Sequence, residues 1–191
     1  MENEKGYFTN EVWLKGQIIN IYPATESKNC VIVTLDVGNK TFPKIVCFQH
    51  NAEIVWQRYY IGDTITILAN LQSSFNKGNR PVSVSLFCTK IVENTEIRTP
   101  TYNQFLVKGQ VVSCIINEKN RVMSVILRTE VDNRMSTFPI TIYAMDMRIH
   151  NYMENQTLAI RGRVETIRKL HPDGNKSYYQ NYVAEQIKDY F

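Results

Sequence analysis

Two phenylalanines flank a lysine in the run Thr-Phe-Pro-Lys-Ile-Val-Cys-Phe at residues 41–48. Read as a strand, the run alternates with period two. Ile45 and Cys47 then share one face, and Phe42, Lys44, Val46 and Phe48 share the other. A strand with one buried face ordinarily carries polar groups on its open face. Here the second face carries two aromatic rings with a cation between them. Rings on which bases can stack, beside a charge that can hold phosphate, are what a groove for unpaired nucleic acid requires. The competing reading is a strand buried on both faces, with Lys44 snorkelling out to water.

The elements that must position these residues follow from the rest of the pattern. Strand-like runs cover residues 11–22, 30–37 and 42–48, joined by short polar turns as in a meander. Residues 50–60 break the alternation. Ala52, Val55, Trp56 and Tyr59 fall at helical spacing there, with Trp56 expected in the core. Residues 63–71 alternate again, residues 72–80 form a polar loop, and residues 81–92 make a last strand. Residues 93–102, with Thr, Asn, charges and Pro100, read as a linker. The pattern then restarts. Leu14-Lys15-Gly16-Gln17-Ile18 is echoed by Val107-Lys108-Gly109-Gln110-Val111, and Thr41-Phe42-Pro43 by Thr137-Phe138-Pro139. Residues 64–71 are echoed by 157–164. Three echoes in the same order predict a duplication. Its second copy has strands at 104–116, 121–130, 137–144, 156–167 and 178–188, and a short helix near 146–152. The prediction is an all-β chain of two tandem OB-folds, five-stranded Greek-key barrels with one short helix each. The expected boundaries are 1–93 and 103–191, with a linker at 94–102.

Composition narrows the function classes. The 191 residues carry 22 Lys and Arg against 18 Asp and Glu, a net charge of +4 that permits a polyanionic partner without demanding one. Divided at Thr95, the halves are +1 (9 basic, 8 acidic) and +3 (13 basic, 10 acidic). Cys30, Cys47, Cys88 and Cys114 show no Cys-x-x-Cys spacing and no clustered histidine, so no metal site is expected. Cys30, Cys47 and Cys114 read as buried free thiols suited to a reducing compartment. The acidic start, Met1-Glu2-Asn3-Glu4, does not read as a signal peptide, and no apolar run reaches membrane-spanning length. A cytoplasmic, membrane-free protein without cofactors is the expectation. No Gly-rich phosphate loop, Gly-x-Ser-x-Gly or His-Glu-x-x-His motif occurs, which disfavours an enzyme.

The first half also carries a more specific resemblance. Asn10-Glu11-Val12-Trp13-Leu14-Lys15-Gly16 resembles the opening strand of bacterial single-stranded DNA-binding proteins, whose pattern is Asn, x, Val, x, Leu, x, Gly. Residues 41–48, Ala52-Glu53, Tyr60-Ile61-Gly62-Asp63 and Ala69-Asn70-Leu71 follow that family's third strand, helix and fourth strand in order. The second half is less similar, with Arg161-Gly162-Arg163-Val164 its best match. The resemblance implies Phe42 and Phe48 as stacking aromatics and Lys44 as the basic residue between them. It further implies coating of single-stranded DNA in replication, recombination or transfer, and a homodimer, because family members gather four OB-folds. Cellular members carry a long flexible tail that ends in acidic residues and a terminal Phe and recruits partner enzymes, which implies replication or recombination proteins as partners. Lys188-Asp189-Tyr190-Phe191 echoes that tail only faintly, so a phage or plasmid type is included in the expectation.

The candidate contacts are therefore Phe42, Lys44 and Phe48, with Phe75, Lys77 and Arg80 in the loop between the fourth and fifth strands. Trp13 and Lys15 point away from Val12 and Leu14, and either join the groove or form a subunit interface. In the second copy Tyr143 takes the place of Phe48 if Ile140 and Ile142 are core, with Phe138 turned inward. A bulge near Pro139 would let Phe138 face the groove as well. Arg161 and Arg163 share an open face. Arg168, Lys169, His171 and Lys176 follow, interleaved with Tyr178 and Tyr179. Two other classes stay open: an OB-fold that binds structured RNA or tRNA, and a protein-interaction module whose aromatics are interface residues.

Overall fold

A computed structural model describes residues 8–24, 26, 29–75, 81–93, 97–131, 134–143 and 154–190. The elements are β1 (Thr9–Pro23), β2 (Cys30–Asp36), β3 (Lys44–Phe48), α1 (Gln49–Arg58), β4 (Thr64–Phe75) and β5 (Pro81–Ile91). They continue with β6 (Tyr102–Asn117), β7 (Val122–Val131), β8 (Arg134–Tyr143), β9 (Thr157–Leu170) and β10 (Lys176–Tyr190). The helix expected near 146–152 lies outside the described residues.

The strands join in the order β2-β3-β5-β4-β1-β6-β7-β8-β10-β9, and two further pairings, β1 with β2 and β6 with β9, close it. The first five strands thus form a ring, β1-β2-β3-β5-β4, that returns to β1. All its ladders are antiparallel except β3 with β5. A closed five-stranded barrel with its helix between the third and fourth strands is consistent with the OB-fold. Strands β6 to β10 pair in the same order, again with one parallel ladder, β8 with β10. The two groups share one sheet through β1 and β6, which pair antiparallel from Thr9↔Lys108 to Lys15↔Tyr102. Tyr102 is therefore strand rather than linker.

The sequence echoes map onto matching geometry at the strands that open each group. In β1 the alternation buries Val12, Leu14 and Ile18, and a register shift follows between Ile18 and Asn20. In β6 it buries Phe105, Val107 and Val111, with the shift between Val111 and Ser113. Gly16 is where β1 passes from β4 to β2. A Cβ there would lie 2.2 Å from the Asp36 carbonyl oxygen. A Cβ on Gly109 would lie 2.6 Å from the Arg128 carbonyl oxygen. Both positions need glycine because a backbone passes where a side chain would stand. A further equivalence escapes the sequence reading. Asn10 Nδ2 donates to the Leu71 carbonyl and its Oδ1 accepts from the Leu71 N–H, both at 2.8 Å. Asn103 clamps the Val164 backbone in the same way, at 2.8 and 2.9 Å.

The helix α1 closes one end of the first barrel with a narrow apolar stripe. Ala52 and Val55 are buried, and Tyr59 packs against the core. Trp56, expected in the core, is 40 % exposed, because it lies to one side of that stripe. The loop expected at 72–80 is shorter, since β4 runs on through Phe75 and pairs with β5 as far as Phe75↔Pro81. The β9–β10 hairpin is likewise longer than the alternation indicates. It pairs continuously outward to Lys176↔Leu170 and turns over His171–Asn175.

Candidate nucleic-acid interface

The face of β3 that turns away from the barrel interior forms the centre of the site. Ile45 and Cys47 are fully buried, while Lys44 and Phe48 are exposed and Val46 is half-buried. Pairing with β2 on one side and β5 on the other fixes this alternation. The strand is not buried on both faces. Phe48 is 47 % exposed and stacks on Phe87 of β5, with ring centroids 5.6 Å apart and planes inclined by 9°. The parallel register sets Val46 beside Phe87 and so brings the two rings together. One side of the Phe48 ring is covered by Phe87, and the exposed remainder is what a base could stack on. Phe87 was not among the sequence candidates. Its signal is the alternation of residues 81–92, which sends Leu86 into the core and Phe87 to the opposite face.

Phe42 precedes β3, is half-buried and lines a cleft. One wall of the cleft is this outer barrel face: Phe42, Lys44 and Val46 with Tyr22 and Ile32, and with Val84 and Ser85 of β5. The other wall is the β9–β10 hairpin, which contributes Thr166, Tyr178, Tyr179 and Gln180. Two backbone N–H groups near the start of β3 bond to that hairpin. Phe42 N–H donates to Thr166 Oγ1 at 2.7 Å, and Lys44 N–H donates to Gln180 Oε1 at 2.6 Å. The cleft holds about 280 Å³. That falls below the roughly 300–1,000 Å³ of sites that enclose a whole small molecule, and suits a trough for part of a longer ligand.

The other candidates divide. Trp13 is half-buried in β1 between its partners Leu68 and Gln104. Lys15 Nζ donates to the Ile97 carbonyl at 2.6 Å, so this ammonium ties down the segment between the two groups of strands. The Phe75 backbone ends β4, whereas Lys77 and Arg80 lie outside the described residues.

Of the second-copy aromatics, Tyr143 is 50 % exposed and Phe138 is fully buried. Phe138 is thus a core residue and a correction to the candidate set. The β7–β8 ladder runs from Val122↔Tyr143 to Val131↔Arg134 without a register shift, so no bulge at Pro139 turns the ring outward. The ladder registers show why the Thr-Phe-Pro echo misleads. Ile45 opposes Val33 and Ile140 opposes Val125, each the fourth residue of its strand, while Phe48 and Tyr143 oppose the first. Counted back from these pairs, Phe42 corresponds to Thr137, and Phe138 is one residue out of step. One residue is the shift that reverses the face of a strand.

Among the basic residues, Arg161 is exposed and its Nη2 donates to Gln104 Oε1 at 2.9 Å. The guanidinium of Arg163 is held by two carboxylates. Nη2 lies 2.5 Å from Glu165 Oε1, and Nη1 lies 2.8 Å from Glu185 Oε1. The hydrogen bonds to Glu185 and Glu165 hold its pKa above the ordinary arginine value. Glu165 also lies 3.5 Å from the Tyr143 hydroxyl, which places a carboxylate beside the ring that corresponds to Phe48. Burial, followed by that charge, pushes the Tyr143 phenol up. Arg168, Lys169 and Tyr178 are exposed along the hairpin, with Tyr178 paired to Arg168 across it.

Among the described residues, no group of three or more His, Cys, Asp or Glu side chains is arranged to hold a metal ion. All four cysteines are free. Cys47, hydrogen-bonded to Cys88 and buried, has its thiol pushed up, so it stays protonated. Cys88 and Cys114 are only half-buried. Among the described residues no helix is long and apolar enough to cross a membrane.

No protein-family model and no curated protein matches this sequence. Solved structures do match. A deletion mutant of the single-stranded DNA binding protein from Thermus aquaticus superposes with a TM-score of 0.68 at 13% identity, covering 97% of this chain and 96% of that one. The wild-type protein from the same organism superposes with a TM-score of 0.65 at 13% identity, covering 97% and 95%. At that identity the likeness is one of fold. It extends through both groups of five strands, and the chain shares its barrel architecture with proteins named for binding single-stranded DNA.

Proposed function

We propose that this protein binds single-stranded DNA without catalysis, as two tandem OB-folds joined through residues 94–101. The observation that carries the reading is the exposed Phe48 ring, stacked on Phe87 and sharing its strand face with Lys44. An aromatic pair open to solvent on a barrel face has no packing role that requires its exposure. Stacking a base on such a ring contributes roughly 1–3 kcal/mol whatever the base, and a nearby cation adds salt-dependent affinity for phosphate. The likeness in fold to single-stranded DNA binding proteins supports the same reading. The first barrel is the stronger binder in this proposal. The second has Tyr143 beside Glu165 where the first has Phe48, and its contribution comes from Arg168, Lys169 and Tyr178 on the hairpin. We extend the proposal to a cytoplasmic homodimer that coats strands exposed in replication, recombination or transfer, of cellular, phage or plasmid type.

Competition decides between the classes. Labelled oligo-dT bound to the full chain should be displaced by unlabelled single strand and not by an equal concentration of duplex or RNA hairpin. A hairpin that competes better than oligo-dT would assign the protein to structured RNA. Absence of binding to any of the three would leave a protein-interaction module.

A further inference from the structure

We propose that the cleft between the outer face of the first barrel and the β9–β10 hairpin is a composite site that receives unpaired bases. One strand is thereby held by residues from both halves of the chain at once. This rests on the single-strand reading above and specifies where the strand runs once it leaves Phe48.

The chemistry of the two walls carries the inference. A base is flat, has π faces and carries hydrogen-bonding groups only on its edge, so its site needs rings on the sides and a few polar groups at the margin. Phe42 and Tyr22 supply rings on the barrel side, and Tyr178, on the β10 face that also carries Gln180, supplies one on the hairpin side, where Tyr179 also lines the cleft. The two tyrosines remain 57 % and 49 % exposed although they line a cleft, so the cleft leaves them half open. The side chains of Ser85 and Gln180 add polar groups among these rings. Phosphate needs cations at the mouth. Lys44 provides one, and Arg168, paired across the hairpin with Tyr178, provides another.

The spacing is that of a short piece of strand. Phe48 lies four residues from Lys44 along β3, about 13 Å at roughly 3.3 Å per residue. That distance spans about four stacked nucleotides at 3.4 Å each, or fewer extended ones. A base on Phe48 and a base in the cleft can therefore belong to one oligonucleotide. The hydrogen bonds from Phe42 and Lys44 to Thr166 and Gln180 hold the two walls together, so the cleft exists before any strand arrives.

The test uses the full chain and a thymidine oligonucleotide carrying a single 5-iodouracil. Irradiation of the complex followed by peptide mapping should give crosslinks to Phe48 and, with the label moved a few nucleotides, to Tyr178 or Tyr179. Replacing both tyrosines, Tyr178→Ala with Tyr179→Ala, should weaken oligo-dT binding by about 5- to 150-fold, the range for losing one stacked base. It should also shorten the occluded site. Tyr178→Phe with Tyr179→Phe should stay within about threefold of the parent, because the rings remain. Both side chains are half exposed, so thermal unfolding of these variants should match the parent. Parent-like affinity and site size in the double-alanine variant, with no crosslink to β10, would overturn the composite cleft and leave binding at Phe48 intact. A phenylalanine variant as weak as the alanine one would rule out stacking as its mode of contact. Failure of the parent chain to bind oligo-dT at all would overturn the single-strand reading, and the cleft with it.

Discussion

Replacing Phe48 by alanine removes the outer ring of the stacked pair and nothing from the core, since Phe48 is 47 % exposed and Ile45 and Cys47 remain buried beside it. One ring face is covered by Phe87, so one base at most can stack on the pair from outside. Loss of a single stacked base costs about 1–3 kcal/mol, or about 5- to 150-fold in affinity. Phe87→Ala acts differently, because it withdraws the support that fixes the Phe48 ring. An aromatic pair contributes about 0.5–1.5 kcal/mol, so this variant should lose about 2- to 10-fold. The double variant should bind no more weakly than Phe48→Ala alone, because Phe87 works through Phe48 and the two effects are not independent. Anisotropy of a labelled thymidine oligonucleotide at fixed salt measures all three affinities, and thermal unfolding checks that each variant is folded. Parent-like affinity for a folded Phe48→Ala would refute the stacking platform. Additive losses in the double variant would show that Phe87 meets the strand directly.

Three further outcomes follow from the same geometry. Phe138→Ala should destabilise the chain by about 3–5 kcal/mol in urea unfolding, because the ring is fully buried, and Phe48→Ala should cost far less stability. Asn10→Ala should cost about 1–3 kcal/mol for each Leu71 backbone group left unpaired. Asn103→Ala should cost less by the same assay, since Asn103 is half-buried where Asn10 is buried. Lys169→Ala should reduce the salt dependence of oligo-dT binding by about 0.7 in log–log slope. Arg163→Ala should leave that slope unchanged, since Glu165 and Glu185 already hold its guanidinium.

Much of this architecture is legible in the sequence, and the exceptions have physical causes. Period-two alternation locates most of the described strands because they have one buried face, while β2, buried on both faces, reads as an apolar run, and the spacing of Ala52 and Val55 marks the helix that packs on the first barrel. The Lys-Gly-Gln echo maps onto equivalent positions because Gly16 and Gly109 each meet a backbone carbonyl that no side chain could share. The Thr-Phe-Pro echo does not, since a one-residue slip leaves the composition intact and reverses the face, which puts Phe138 inside. Alternation also underestimates hairpins. The outer ends of β4 and β9 continue as ladders after the apolar pattern stops, since backbone pairing needs no buried side chain. Partners distant in sequence leave no periodic signal. The pairing of Arg163 with Glu185, the support of Phe48 by Phe87 and the approach of Gln180 to Lys44 all depend on how the strands are ordered in space.

The most direct test is the binding of labelled oligo-dT to the full chain, followed by anisotropy across a salt series. Phosphate contacts by Lys44, Arg168 and Lys169 predict tight binding at low salt that weakens as salt rises, with a log–log slope of about −2, at about −0.7 per contact on a single strand. No binding at low salt, or binding indifferent to salt, would contradict a surface that holds a single strand by its bases and its phosphates.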